Sequence, residues 1–189
     1  MNMIKALKHF NLINKHRWYV FQFSIKAGIP FRGLIHDLSK YSITEFFESV
    51  KYYTGHCSPI HFAKLDKGYS EAWLHHKGRN KHHFEYWEDV KNNERFGAFI
   101  PYKYIVECIC DKLAACKAYN KKNFNQKQPL EYWNNVDKKS SIKIHPGIVE
   151  FTDEVLTKMS NDGINNTLNP KYLKNTYKKI YEKYNKEGD

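Results

Sequence analysis

Apolar side chains recur at every third or fourth position through most of this chain, and no useful stretch alternates apolar and polar residues. Hydrophobic period is the main signal of secondary structure, so this chain can bury its apolar surface through helices but not through a sheet. Met3, Leu7, Phe10, Ile13, Val20, Phe21 and Ile25 predict a helix over 3–27 that Gly28 stops. After Ile29-Pro30 a second helix carries Leu34-Ile35-His36-Asp37-Leu38. Ser42-Ile43-Thr44-Glu45 has the spacing of a capping box and opens a helix to about Tyr53. Residues 54–67, around Ser58-Pro59, read as a loop or short helical turns, and 69–77 as a helix ending near Gly78. Residues 80–87 are compact and aromatic, without a clear period. Pro101 suits the first turn of a long helix over 101–120. Pro129 opens a short helix through Trp133, Pro146 another to about Ser160, and Pro170 a last one rich in Lys and Tyr. The expectation is an all-α bundle of about seven or eight helices.

The 189 residues suit a single domain over 1–189, since one core can serve that length. Aromatic residues at 16% are enough to build that core. The net charge of +11 favours anionic partners, yet the lysines are dispersed, which solubility alone also explains. Cys57, Cys108, Cys110 and Cys116 form no C-x-x-C pair and read as reduced, mostly buried thiols. The amphipathic N-terminus lacks the apolar run of a signal peptide, and no stretch approaches a membrane span. The expected location is the cytoplasm, with no membrane partner.

The histidines are unevenly spread: eight of ten lie between positions 16 and 83. His36-Asp37 sits within Leu-Ile-His-Asp-Leu-Ser-Lys, and His75-His76 and His82-His83 bracket Lys77-Gly78-Arg79-Asn80-Lys81. Imidazole and carboxylate are ligands of divalent metals, and a mixed set leaves coordination positions open for water. On a helix, His36 and Asp37 would lie about 100° apart and reach an ion in the groove beside it. His16 on the first helix and Asp111 on the apolar helix around Ile105–Ala115 are candidates for the remaining ligands. A carboxylate on such a face is buried only when paired or coordinated. Glu107, one turn before Asp111, can support a ligand from behind. Glu45 reads as the capping partner of Ser42, and Phe84, Tyr86 and Trp87 mainly as core. His9, His56, His61 and His145 carry no supporting pattern and read as surface or capping residues.

In order, a leading His, a His-Asp doublet, a paired His and a closing Asp, this chain resembles the HD-domain superfamily of metal-dependent phosphohydrolases. The resemblance runs over about residues 10–120, leaving C-terminal helices at about 129–185. It implies an HD-like bundle whose metal ligands come from His16, His36, Asp37, His75, His76 and Asp111; His82 and His83 are further candidates, to extend the site to a second metal or to contact phosphate. His75-His76 resembles the paired His of the cyclic-dinucleotide phosphodiesterase branch. That branch continues with Glu and a Gly-Tyr-Pro segment, where this chain has Lys77-Gly78-Arg79-Asn80. His82-His83 has no clear counterpart. The HDLSK and HHxxRNxHH patterns are also similar to an uncharacterised family of bacteria and their phages.

The resulting expectation is a phosphomonoesterase or phosphodiesterase acting on a nucleotide or related phosphate ester. It would use one or two divalent ions (Mn, Fe, Co, Zn or Mg). Asp37 would position or deprotonate a water, and Lys40 and Arg79 would offset charge on the phosphoryl oxygens. Two alternatives stand beside it. One is a non-catalytic helical module that binds nucleic acid or nucleotide and keeps a structural metal. The other is a di-iron oxygenase of HD type.

Overall fold

A computed structural model describes residues 2–185, and the chain is all-α apart from one small hairpin. The described residues form ten α-helices: α1 (Met3–Lys26), α2 (Pro30–Ile35), α3 (Ile43–Tyr52), α4 (Pro59–Lys67), α5 (Glu71–Lys77), α6 (Tyr102–Asn120), α7 (Gln128–Tyr132), α8 (Pro146–Asp162), α9 (Ile164–Thr167) and α10 (Pro170–Asn185). The two beyond expectation are α4, read as loop or short turns, and the four-residue α9. All six prolines stand at helix starts, where a missing N–H costs nothing. Pro59 is one of them, so Ser58-Pro59 opens a helix rather than a loop. The hairpin pairs β1 (Glu88–Lys91) with β2 (Glu94–Gly97) in antiparallel register through Asn92 and Asn93, both at positive φ. Asparagine tolerates that conformation, which two-residue hairpin turns require.

The long helix α6 is the axis of the fold. Ile105, Val106, Cys108, Ile109, Cys110, Leu113 and Ala114 are buried, as expected of a helix surrounded by others. Its core continues into Val20 and Phe23 of α1, Ile148, Phe151, Val155 and Met159 of α8, and Leu173 and Ile180 of α10. Trp133 is fully buried beside Phe84 and donates its indole N–H to Asp153 at 2.8 Å. Burial of these groups, not helix propensity, supplies most of the stability of such a bundle. The four cysteines are free, with Cys108 and Cys110 buried and Cys57 and Cys116 partly so. Among the described residues no helix is long and apolar enough to cross a membrane.

Helix α2 lies against α1 at Gly33, where a Cβ would stand 2.5 Å from the Ser24 Cβ and 2.9 Å from the Phe21 Cα. The second neighbour is backbone and cannot turn aside. Gly33→Ala is therefore expected to destabilise the fold by about 1–3 kcal/mol through overpacking. Unaltered thermal unfolding of that variant would mean that the two helices are not in close contact.

Candidate metal centre

The geometry begins at a break in the chain. Pro30 starts α2, but the helix stops after six residues; His36 is extended (φ −54°, ψ 132°) and Asp37 is left-handed (φ 53°, ψ 29°). A 3₁₀ turn over Leu38–Tyr41 comes next. The doublet is thus not inside a helix, as the apolar spacing suggested. Aspartate is among the few residues that enter the left-handed region readily, and such conformations gather at functional sites. Arg17 secures the break: its guanidinium donates to the His36 carbonyl (2.8 Å), the Leu34 carbonyl (2.9 Å) and the Tyr41 hydroxyl (3.1 Å). Those carbonyls lack helical partners, and the planar fork of Arg satisfies them together.

The break turns both side chains toward α1 and α6. His16, His36, Asp37 and Asp111 each offer one ligand atom, all within 4.8 Å of one another. His16 Nε2 lies 3.4 Å from His36 Nε2, 3.0 Å from Asp111 Oδ1 and 3.9 Å from Asp37 Oδ2. His36 Nε2 lies 3.2 Å from Asp37 Oδ2 and 3.4 Å from Asp111 Oδ1. A tetrahedron with edges near these lengths has its centre about 2.1 Å from every corner, the length of a zinc bond to nitrogen or oxygen. The residues therefore fit a cation.

A second group adjoins the first through the same carboxylate. Asp37, His76, His82 and His83 also bring ligand atoms within 4.8 Å. Here the other oxygen of Asp37 is used: Oδ1 is 3.3 Å from His76 Nε2 and 3.5 Å from His82 Nε2. Several buried atoms at this spot have no hydrogen bond, among them both Asp37 oxygens, both His82 nitrogens and His83 Nε2. Asp37 Oδ2 does form an ion pair with Lys40 Nζ at 2.5 Å. Buried polar atoms are almost always hydrogen-bonded, so a cluster of exceptions points to a bound ion or water.

Glu107 and Glu45 fix the imidazoles from behind, and Glu107 itself forms a third group of ligand atoms within 4.8 Å, with His36 and His82. Glu107 accepts from His36 Nδ1 at 3.0 Å and takes Arg32 with its other oxygen at 2.6–2.7 Å. Glu45 accepts from His75 Nδ1 at 2.6 Å and from His76 Nδ1 at 2.7 Å. Holding Nδ1–H in this way leaves Nε2 of His36 and His76 free as a ligand and sets the ring plane. Ser42 does cap α3 through the Glu45 amide, but the Glu45 carboxylate serves the histidines instead of completing a capping box. Asn80 ties α5 to the doublet segment, donating to Ser39 Oγ at 2.8 Å and to the His76 carbonyl at 2.9 Å. Glu48 secures the start of α5, accepting from Ser70 Oγ and the amides of Glu71 and Ala72.

The ionisation of these groups is set by their surroundings. Burial opposes charge on Asp37 and Asp111, but neighbouring histidines, with Lys40 beside Asp37, outweigh it and hold both carboxyls well below the usual range. Burial likewise opposes charge on Glu107, yet His36 and His82 pull it down to about 2. Burial is again outweighed at His36 and His76, where Asp37 and neighbouring carboxylates raise the pKa. Burial prevails at His83, well below its ordinary value with His82 and His76 adding to the effect, and at His16, where Lys40 opposes the Asp111 bond. A cation binding here would displace the protons of His36 and His76.

Of the expected ligands, His75 is the one that does not converge. Its ring is about 100° round α5 from that of His76, half-exposed and held by Glu45, outside both groups. Lys40 stands at the site, whereas Arg79 is exposed on the turn after α5 with no ion pair among the described residues. His56 and His61 are exposed, and His145 caps α8 by accepting from the Gly147 amide. His9 is not a surface residue: it is buried between Phe46 and Tyr53. The structure adds Glu45, Arg17 and Arg32 to the residues that build the site. Glu107 carried the same sequence signal as Asp111, a carboxylate on an apolar helix; the two arginines carried none.

The cluster meets solvent beside Asp111 and Lys40, whose side chains keep 18% and 31% exposure, while those of His36, Asp37 and Glu107 keep 1% or less. Fold and site together define an all-α protein built around buried histidine–carboxylate groups able to hold metal ions. The chain belongs to the Family of unknown function (DUF5662), whose family model matches residues 5–158, a span that includes both groups. No curated protein and no solved structure matches it.

Proposed function

We propose that this protein is a metal-dependent phosphohydrolase of HD type, acting on a nucleotide or related phosphate ester. One observation carries the reading: the two oxygens of Asp37 face two different sets of histidines, so one carboxylate can serve two adjoining cation positions. His16, His36, Asp111 and Asp37 Oδ2 would hold one ion; His76, His82, His83 and Asp37 Oδ1 would hold the other. When bound, such ions supply a water of lowered pKa and a Lewis acid for phosphoryl oxygens. The protein's own part is orientation. Glu107 and Glu45 keep His36 and His76 presenting Nε2, and Arg17 holds the doublet's backbone. Lys40, paired with Asp37 on the solvent side, offers a cation to a substrate phosphoryl group. Arg79, exposed after α5, is available to the rest of an anionic substrate.

The test is metal analysis of protein purified without chelator, followed by a screen of nucleotides and generic phosphodiesters. Bound divalent metal and metal-dependent release of phosphate or nucleoside monophosphate are expected. Lys40→Ala should keep its metal and lose about 10²–10³-fold in turnover, the usual cost of one electrostatic contact in the transition state. Loss of metal in that variant would make Lys40 a support of the site instead. A pair of coupled irons with oxygen consumption and no hydrolysis would replace the reading with an oxygenase. Protein without metal or turnover would leave only a binding module.

A further inference from the structure

The histidines of the second group stand on two kinds of backbone. His76 belongs to α5, but His82 and His83 lie in the turn beyond it, where no helix sets their direction. Ligands in a turn hold a metal only when the packing around them locks their position. The turn is pinned at three places. Asn80 ties its start to α5 and the doublet segment. Trp87, at the end of a 3₁₀ turn over Phe84–Trp87, donates its indole N–H to the Lys81 carbonyl at 2.7 Å and closes the loop. Phe84, next in sequence to His83, is the pin nearest the ligands, and its ring is buried in the core.

Apolar packing is only part of what holds Phe84. The Trp133 ring lies 5.5 Å from it at 46°, and the Lys112 ammonium stands over its face, 5.0 Å from the centroid. Lys112 Nζ is paired with Asp137 Oδ2 at 2.6 Å, and both side chains are less than one-fifth exposed. Trp133 and Asp137 are the first and last residues of a π turn, closed by the Lys138 amide on the Trp133 carbonyl at 3.0 Å. Such turns are rare and gather at functional sites. An ion pair this far from water is a poor source of stability, since apolar residues of like volume often serve as well or better. What it adds is direction. An ammonium that must meet a carboxylate and an aromatic face together has little freedom, and neither has the ring beneath it.

We propose that Lys112, Asp137 and Trp133 are positioning residues for the second cation position: they clamp Phe84 and thereby hold His82 and His83 toward Asp37 Oδ1. The inference rests on the two-cation reading above. Lys112 follows Asp111 in α6, but successive side chains point about 100° apart around a helix, so the two can serve different groups. The first group has supports of its own, Glu107 behind His36 and Arg17 on the doublet's backbone. Helices α7 and α8, with the π turn between them, supply no ligand to either group, and the clamp gives them a part in the site. If these contacts served the core alone, their loss would bear on both groups alike.

The test is titration of the metal-free full chain with cobalt(II), followed by visible absorption, beside thermal unfolding in chelator. The native chain should take up two ions. Lys112→Met and Asp137→Asn should each bind the first as the native chain does and the second about 10–100-fold more weakly, the usual effect of losing a group that orients a ligand. The double variant Lys112→Met with Asp137→Leu separates position from stability. With the pair replaced by apolar groups its unfolding temperature should stay close to the native one, and the second ion should still bind weakly. Two ions held with native affinity by the double variant would overturn the proposal. So would single variants that lose both ions in step with a fall in unfolding temperature, because that is how residues act that support the fold alone. A native chain that takes up one ion or none would end the two-cation reading itself, and the clamp with it.

Discussion

Asp37→Asn is expected to remove divalent metal from both groups at once and to lower metal-dependent hydrolysis by at least about 10³-fold, the scale on which loss of an essential site residue acts. Asn keeps the shape of the side chain and enters the left-handed region as Asp does, so the loss would report the carboxylate charge and not the backbone. Asp37→Ala should show the same loss of metal with a further destabilisation of about 1–2 kcal/mol from a Cβ residue without local hydrogen bonding in that region. His75→Ala is the internal control: its imidazole is outside both groups, and metal content should persist. Metal stoichiometry and turnover, measured side by side, decide the matter. If Asp37→Asn retains two ions, the two groups do not share this carboxylate; if His75→Ala loses metal, the second group has been drawn wrongly.

Glu107→Ala should be the most damaging change to stability in the site. Glu107 is fully buried, and it neutralises Arg32 while accepting from His36 Nδ1. Removing one member of a buried pair leaves the other uncompensated, which typically costs about 3–5 kcal/mol. For a chain of this length that is a fall in unfolding temperature of roughly 10 °C or more. Arg32 can recover part of the cost by reaching water, since its side chain is 22% exposed. Glu107→Gln separates two roles. The amide keeps the volume and can still accept from His36, so it should fold better than the alanine variant. It no longer raises the basicity of His36, and a metal affinity about 10–100-fold lower is expected, the usual effect of losing a group that orients a ligand. Thermal unfolding in chelator reads the first role and metal titration the second. Equal stability of Glu107→Ala and the native chain would mean that Arg32 finds another partner.

Much of this architecture was legible in the residues. Period in hydrophobicity is a local property, so the helical class could be read from the chain alone, and prolines announced most helix starts because a residue without N–H is tolerated there. Local pattern and the resemblance to the HD-domain superfamily also singled out His16, His36, Asp37, His75, His76, His82, His83 and Asp111, since ionisable groups among apolar ones need a partner. A period gives faces, however, and does not say which face turns inward. On α1 the apolar residues are spread around the helix, and packing against α6 buried Ile13, Val20 and Phe23 together with His9 and His16 while Met3, Leu7 and Ile25 stayed exposed. Only the tertiary structure decided between His75 and His76, which differ by a single step around α5. It alone broke the chain at His36-Asp37, because the carbonyls freed there are bonded by Arg17, which is 19 residues away. Glu45 was taken from its cap and Glu107 given to His36 by contacts 30 and 71 residues apart in sequence. The sequence determines which groups demand a partner; long-range packing determines which partner each one meets.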